Sequence, residues 1–244
     1  MNRTIKELFE RKSVRVYIDD PITSEERRLI LESAIQAPTA GNMALYSIID
    51  IQDQDLKEEL SVLCDHQPFI AKAPMVLVFL ADYQKWYDMF DACCETPPKI
   101  EEADLFLAME DCLIAAQNAV VAAQSLGIGS CYIGDILENF EQSQKLLNLP
   151  RYAVPCAMAV FGRPTMQQTE RTKPKRFAVD DIVHVNAYHQ KSLEETRGMF
   201  QRQTGKSGEE LKTYIKAFAK RKFYASFREE MNRSVKAILK YWTD

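Results

Sequence analysis

One long helical pattern constrains this chain more than any other feature. The segment from Asp104 to Leu126 is rich in alanine and apolar nearly all round, and Gly127 follows it as a helix-ending residue. A helix without a polar face must be covered on most sides, so we predict that it lies in a protein core or in a subunit interface. The remaining segments have to supply that cover.

Short apolar runs before and after this helix predict strands. Leu45 to Ile51 is β-branched and apolar, and Pro74 to Ala81 is almost continuously apolar, as expected of a strand buried on both faces. Two further strands are predicted at Ser130 to Ile133 and at Ala153 to Phe161. Helices are predicted from Thr4 to Lys12, after a cap at Thr23 or Ser24 with Glu26, and from Phe140 to Leu147. We therefore expect one domain that mixes helices with a sheet.

The C-terminal part is helical and amphipathic from Asn186 onward, with a break around Gly205 to Gly208. Such a tail cannot bury its apolar face alone, so it must either fold back on its own core or wrap a second subunit. The second alternative indicates a homodimer. We place a core at residues 1–190 and a helical extension at 191–244, both within one domain.

Composition excludes several classes of protein. Apolar residues make up 46% of the chain and charged residues 27%, which is an ordinary globular balance. The net charge of −4 argues against nucleic-acid binding, and no apolar run is long enough for a membrane span. The N-terminal residues lack the layout of a secretory signal, so we expect a cytoplasmic protein. The six cysteines show no CxxC spacing, so we interpret them as reduced thiols and predict no metal site.

Cationic side chains are concentrated in two short segments. In the first, Arg11, Ser13 and Arg15 would point to one side of an extended chain, with Lys12 between them. Guanidinium groups with a hydroxyl form a cradle for a phosphate monoester, and the alternative is a solvated charged edge. The second segment is either a solvated loop or the other side of the same phosphate pocket. Its cations are Arg171, Lys173, Lys175 and Arg176.

Six segments, in sequence order, resemble landmarks of the nitroreductase family. Arg11 to Tyr17 resembles its Arg-x-Ser-x-Arg-x-Tyr opening, and Ala37 to Asn42 resembles its Ala-Pro-Thr-x-x-Asn loop. Gln67, ahead of a strand that begins after Pro74, is similar to the glutamine of the NADPH-preferring branch. The other three segments are the glycine-rich turn Gly127 to Gly134, Phe161 to Pro164, and Lys173 to Phe177. Their shared order is more specific than any one of them.

The resemblance implies a fold, a cofactor and a set of binding residues. The implied fold is α+β, with a central mixed or antiparallel sheet flanked by helices, a long C-terminal helical extension and a homodimer. The implied cofactor is FMN, with its phosphate at the basic segments and its ring beside the loop and the glycine-rich turn. The implied cofactor-binding residues are Arg11, Lys12, Ser13, Arg15, Pro38, Thr39, Asn42, Gln67, Tyr132, Ile133, Gly134, Lys173, Lys175 and Arg176.

The implied activity is a ping-pong oxidoreductase reaction. NAD(P)H gives hydride to the flavin, and a small nitroaromatic, quinone or flavin acceptor then takes two electrons. Gln67 resembles the NADPH-using branch, and NADH is the alternative donor. Arg202 and Arg233 stand where that branch places arginines that meet the nicotinamide cofactor or the substrate, and an exposed basic helix face is the alternative. Ala44 and Tyr46 depart from the family pattern, which leaves open a non-catalytic flavin-binding or regulatory protein of the same fold.

Overall fold

A computed structural model describes residues 1–243 and divides the chain into two compact units. The first unit comprises Met1–Arg171 and Glu229–Asp244, and the second comprises Thr172–Arg228. The helical C-terminal region is therefore shared between the units, because most of its last helix belongs to the first.

The first unit is built on a four-stranded antiparallel sheet with the strand order β1-β2-β4-β3. The strands are β1 (Tyr46–Ile51), β2 (Met75–Asp82), β3 (Gly129–Ile133) and β4 (Ala153–Gly162). The central strands β2 and β4 are buried at every position, because helices cover both faces of the sheet. This confirms the prediction of a doubly buried strand at 74–81.

The N-terminal segment adds an irregular edge to this sheet. Helix α1 (Arg3–Glu10) ends two residues before the predicted end at Lys12, and the chain then runs extended beside β3. The backbone N–H of Val14 donates to the carbonyl of Ser130 at 2.9 Å, and Val14 is buried. The basic residues around Val14 are thereby fixed at the edge of the sheet.

Two glycines allow this segment to pack closely. A Cβ on Gly129 would lie 2.5 Å from Cγ2 of Val14, and a Cβ on Gly162 would lie 2.4 Å from Cδ1 of Tyr17. Both distances are shorter than any van der Waals contact between carbon atoms. The glycine-rich turn, interpreted from sequence as a place of close approach to a cofactor, thus also serves the contact between β3 and the N-terminal segment.

Helix α6 (Glu102–Ser125) covers one face of the sheet and has nine buried residues. It packs beside α2 (Ser24–Ile35), which begins with the capping box that Thr23 and Glu26 predict. By length and composition alone α6 could cross a membrane, but its burial against the sheet is that of a core helix. This confirms the prediction drawn from its alanine-rich pattern.

Helices on the opposite face enclose a second apolar cluster. They are α3 (Gln54–Leu63), α4 (Pro68–Ala71) and α7 (Phe140–Leu146). Two further helices of this unit, α5 (Gln84–Cys93) and α8 (Met166–Glu170), follow β2 and β4. The sequence patterns did not predict α3 or α5.

The last helix, α12 (Ser226–Thr243), returns to the core of the first unit. Trp242 is fully buried, and its indole Nε1 donates to the carbonyl of Glu101 at 3.0 Å. The backbone N–H of Phe140 donates to Oγ of the buried Ser234 at 3.0 Å. This part of the tail therefore folds back on the core of its own chain, the first of the two predicted alternatives.

The second unit contains α9 (Val179–Ile182), α10 (Leu193–Thr204) and α11 (Gly208–Lys222). The predicted break is confirmed, because α10 ends at Gly205 with a left-handed φ of 73°. Among the residues described in α10 and α11, only Leu211 is buried. Leu193, Ile215 and Phe218 are exposed, whereas Met199, Phe200 and Tyr214 are half-buried.

Candidate functional site

The N-terminal basic segment holds a guanidinium group with an unused donor. Nη1 of Arg11 is buried and has no hydrogen-bond partner. Burial raises the pKa of the Tyr132 phenol, and the positive charge of Arg11 partly offsets this rise. Arg15 is exposed, and its guanidinium lies 5.6 Å from the centre of the Phe69 ring. An unpaired buried cationic donor is costly, so this position favours an anion.

Lys12, another predicted binding residue, is engaged in a structural clamp. Its Nζ donates to the carbonyl of Thr169 at 2.5 Å and to the carbonyl of Arg171. The Arg171 guanidinium in turn donates to the carbonyl of Ser13 at 2.7 Å. These bonds hold the end of α8 against the N-terminal segment beside Ser13 and use two of the three N–H donors of Lys12, whose contact with the cofactor stays a prediction.

The predicted loop Ala37 to Asn42 is held by a residue that sequence analysis missed. Asp111 of α6 is buried and accepts from the Thr39 hydroxyl, from Ala40 N–H at 3.0 Å and from Leu45 N–H at 3.2 Å. The Thr39 hydroxyl also accepts from the N–H of Ala44 at 2.8 Å. Thr39 is therefore a structural residue through its hydroxyl, and the loop presents its backbone together with the exposed Pro38 and Asn42. The available signal was a carboxylate at the spacing of the apolar positions Ala108, Cys112 and Ala115 of α6.

Gln67 is tied to the end of β3. Its Nε2 donates to the carbonyl of Cys64 at 2.8 Å and to Oδ2 of Asp135 at 2.7 Å. With both amide hydrogens used, the side chain offers its carbonyl oxygen as a hydrogen-bond acceptor. Asp135 directly follows Gly134, so the structure brings Gln67 together with the predicted turn.

The residues at the end of β3 differ in exposure. Tyr132 is half-buried and its hydroxyl donates to Oε1 of Gln117 at 3.4 Å, Ile133 is buried, and Gly134 is exposed. Because Arg11 acts on Tyr132 and Gln67 is bonded beside Gly134, three predicted segments converge at this strand end. The convergence of cation, acceptor and open backbone defines the candidate site.

The second basic segment lies in the second unit. Lys173 is half-buried, whereas Lys175 and Arg176 are exposed. The carbonyl of Lys175 accepts from Nε2 of Gln203 at 3.1 Å, which fixes the segment on α10. Its pairing with Arg11 around one phosphate remains a prediction.

Both C-terminal arginines are occupied by carboxylates. Arg202 forms an ion pair with Asp181, which is buried within the second unit. Arg233 donates to both oxygens of Glu141 at 2.8 Å and to Glu230 at 2.8 and 2.9 Å, and these bonds lower the pKa of Glu141 to about 2. An anionic ligand would compete with these partners, and the contacts of both arginines with the nicotinamide cofactor or the substrate stay predictions. The amphipathic pattern alone did not reveal these ion pairs.

The chain matches the family model described as "Nitroreductase family" over residues 8–163. The chain belongs to this family. The resemblance stated from the motifs is thus confirmed. Four of the six landmarks lie within the matched range, Phe161 to Pro164 extends one residue beyond it, and Lys173 to Phe177 lies outside it.

Several members of the nitroreductase family are similar over most of this chain. An FMN reductase (NAD(P)H) from Bacillus subtilis (strain 168) is 30% identical, over 96% of this chain and 97% of the relative. An oxygen-insensitive NADPH nitroreductase from Salmonella typhimurium is 33% identical, over 77% and 75%. The solved structure of the NfrA1 nitroreductase from B. subtilis is 27% identical, with a TM-score of 0.79 over 95% of this chain and 98% of that one. This member of the family therefore shares its fold with known structures over most of its length.

Proposed function

We propose that the protein is an FMN-dependent oxidoreductase that transfers electrons from NAD(P)H to a small acceptor such as a nitroaromatic, a quinone or a free flavin. The observation that carries this proposal is the unpaired, buried Nη1 of Arg11 within the family's N-terminal motif. A donor in this state gains most from a charged acceptor, and a phosphate monoester is such a group.

The basic residues would hold the phosphate of FMN. Arg11 and Arg15 supply guanidinium donors, and Ser13 supplies a hydroxyl on a backbone held by Arg171. The family resemblance assigns Lys173, Lys175 and Arg176 to the phosphate as well, and this assignment stays a prediction. Lys12 contributes by fixing Ser13 through the clamp on α8.

Polar and small groups at the end of β3 would contact the flavin ring. The carbonyl oxygen of Gln67 can accept from a ring N–H, since both of its amide hydrogens are engaged elsewhere. Tyr132, Ile133 and the exposed Gly134 leave room for a planar ring along the strand end. Pro38, the Thr39 backbone and Asn42 would approach the ring from the loop that Asp111 holds.

When bound, FMN would supply the two-electron redox chemistry that links NAD(P)H to the acceptor in a ping-pong reaction. The residues named above would bind and orient it and limit the access of water, and these tasks do not require an acid–base pair.

We further propose a cytoplasmic homodimer. Four large apolar side chains of α6 are exposed: Phe106, Leu107, Leu113 and Ile114. Leu193 of α10 and Ile215 and Phe218 of α11 are also exposed. Surfaces of this kind on a single chain are typical of a subunit interface.

An absorption spectrum of the purified protein tests the proposal. Flavin bands that bleach without oxygen on addition of NADPH or NADH, and return with a quinone or nitroaromatic, are the expected result. Flavin bands that neither nucleotide bleaches would support a non-catalytic flavin-binding protein instead. A colourless protein that FMN does not reconstitute would contradict both proposals.

A further inference from the structure

Three acidic side chains meet on the side of the sheet that α3 and α7 cover. They are Asp65 in the segment after α3, Asp135 after β3, and Glu138 before α7. One carboxylate oxygen from each lies within 4.8 Å of the other two. Within residues 1–243, this is the one group of three or more histidine, cysteine or acidic side chains with that geometry. Sequence spacing predicts no such site, because Asp65 is distant in the chain from the other two acids.

Burial within this group is graded. Asp65 is exposed, Asp135 is half-buried, and Glu138 is only 3% exposed. The group is therefore open to solvent at one end and closed at the other, so that an ion could enter past Asp65. In an ordinary cluster of surface acids, by contrast, every carboxylate is exposed to water.

Glu138 lacks the partner that a buried carboxylate requires. Its Oε1 is buried and has no hydrogen-bond partner, and the ionised groups that act on it are Asp135, Asp65 and Glu230, all of them carboxylates. Glu230, one of these carboxylates, is bonded to the Arg233 guanidinium, which also donates to Glu141. A buried carboxylate without a donor or a counter-ion is strongly unfavourable, so the fold leaves a demand for positive charge at Glu138.

The ligand atoms indicate which kind of cation would bind here. All three ligands are carboxylate oxygens, which suit hard cations rather than zinc or copper. Calcium accepts a flexible shell of six to eight oxygens, whereas magnesium demands a near-ideal octahedron and dehydrates reluctantly, so an irregular, partly solvated group of carboxylates suits calcium better. Oδ2 of Asp135 accepts from Gln67 at 2.7 Å, and an ionised carboxylate keeps further lone pairs with which it can bind an ion. Water can complete the shell on the open side, at Asp65.

We propose that Asp65, Asp135 and Glu138 form a binding site for a hard divalent cation, with calcium preferred over magnesium. The site is separate from the phosphate-binding segment and does not depend on the proposed oxidoreductase activity. It adjoins the candidate flavin site, because Asp135 follows Gly134 in the chain and accepts a hydrogen bond from Gln67.

Isothermal titration calorimetry of the chelator-treated full-length protein tests this site. Calcium chloride, magnesium chloride and manganese chloride are titrated separately at constant ionic strength. We expect one saturable calcium site with a dissociation constant between about 10 µM and 1 mM, and weaker magnesium binding. Absence of saturable binding of all three ions, or binding weaker than this range, would overturn the proposal.

Three variants locate the binding on the named residues. Asp65→Asn and Glu138→Gln each remove one charged ligand and are expected to weaken calcium binding by at least about tenfold. Glu59→Gln removes an exposed carboxylate of α3 outside the group and is the matched control, with unchanged affinity. Asp65 is exposed, so its variant is expected to fold even if Glu138→Gln does not. Wild-type affinity in Asp65→Asn would show that calcium binds elsewhere and would contradict the assignment.

Discussion

Two buried carboxylates in the first unit differ in their hydrogen bonding. Asp111 and Glu138 are each 3% exposed. Asp111 accepts from a hydroxyl and two backbone N–H groups of the loop 39–45. Glu138 has an oxygen without any donor and is surrounded by other carboxylates.

The contrast separates a structural role from an unsatisfied one. The donors around Asp111 offset its desolvation and make it the centre of the loop beside the candidate flavin site. Oε1 of Glu138 has no such donor. Nη1 of Arg11 is likewise buried without a hydrogen-bond partner, but its charge is positive. Buried charges that lack protein partners therefore mark the places where this protein is expected to bind ions or charged ligands.

Asp111→Asn is expected to have the largest effect on stability. The substitution replaces the charge and places an amide group among three donors, so we expect a loss of about 3–5 kcal/mol in the free energy of unfolding and loss of bound FMN. Urea denaturation followed by circular dichroism measures this change. Glu110→Gln, at the exposed neighbouring position, is the control. Equal stability of both variants would mean that the loop is held in another way.

Arg11→Ala separates the unsatisfied cation from the structural residues. Loss of a charge-assisted bond to phosphate is expected to weaken FMN binding by about 10- to 100-fold, without a loss of stability of the flavin-free protein. Fluorescence titration of flavin-free protein with FMN measures the affinity. Arg233→Ala serves as the control, since Arg233 is paired with Glu141 and Glu230. Arg11→Ala with wild-type FMN affinity would contradict the phosphate assignment.

Glu138→Gln is expected to stabilise the metal-free protein in a pH-dependent manner. Burial, followed by the charges of Asp135, Asp65 and Glu230, raises the pKa of Glu138 to about 7. Because this pKa is higher in the folded than in the unfolded state, Glu138 lowers the stability of the wild type as the pH rises from about 4.5 to about 7.

Thermal unfolding of both proteins with a chelator checks this prediction. The variant should gain on the order of 1–2 kcal/mol at about pH 8 and nothing at about pH 4.5. A gain that is equal at both pH values would indicate better packing rather than removal of an unsatisfied charge. A loss at high pH would indicate that Glu138 has a partner in solution.

The smallest effect is expected for Arg233→Ala. This exposed guanidinium is bonded to Glu141 and Glu230 at the surface, and such ion pairs contribute little because water competes with them. The thermal midpoint should change less than in any variant above. Added salt should lower the midpoint of the variant less than that of the wild type, because the variant has no ion pair at Arg233 to screen. A large loss would show that α12 depends on this ion pair for its packing.

Periodic patterns predicted most of the first unit. The alanine-rich pattern of α6, the apolar run of β2 and the capping box at Thr23 each state locally what the segment becomes, and all three are confirmed. Helix α3 had a signal that was not used, since Asp53 caps it and Leu56 and Leu60 lie on one face. Helix α5 contains aromatic residues with weak helix propensity, so its pattern is indistinct.

The partners of the site residues could not be predicted in this way. The Thr39 hydroxyl meets Asp111, and Gln67 meets Asp135, across about seventy residues in each case. These groups meet only when the helices and strands pack in the folded chain, so the local sequence cannot predict the pairs. Motif resemblance identified which residues matter near the site, but not the structural hydrogen bonds that Lys12 and Thr39 make.

A crystal structure of the protein grown with FMN tests the central claim most directly. The measured quantity is the distance from Nη1 of Arg11 to the nearest phosphate oxygen. We predict a hydrogen bond of about 2.7–2.9 Å, with the ring beside Gln67 and Gly134. A phosphate bound elsewhere, with Arg11 paired to a protein acceptor, would contradict the account.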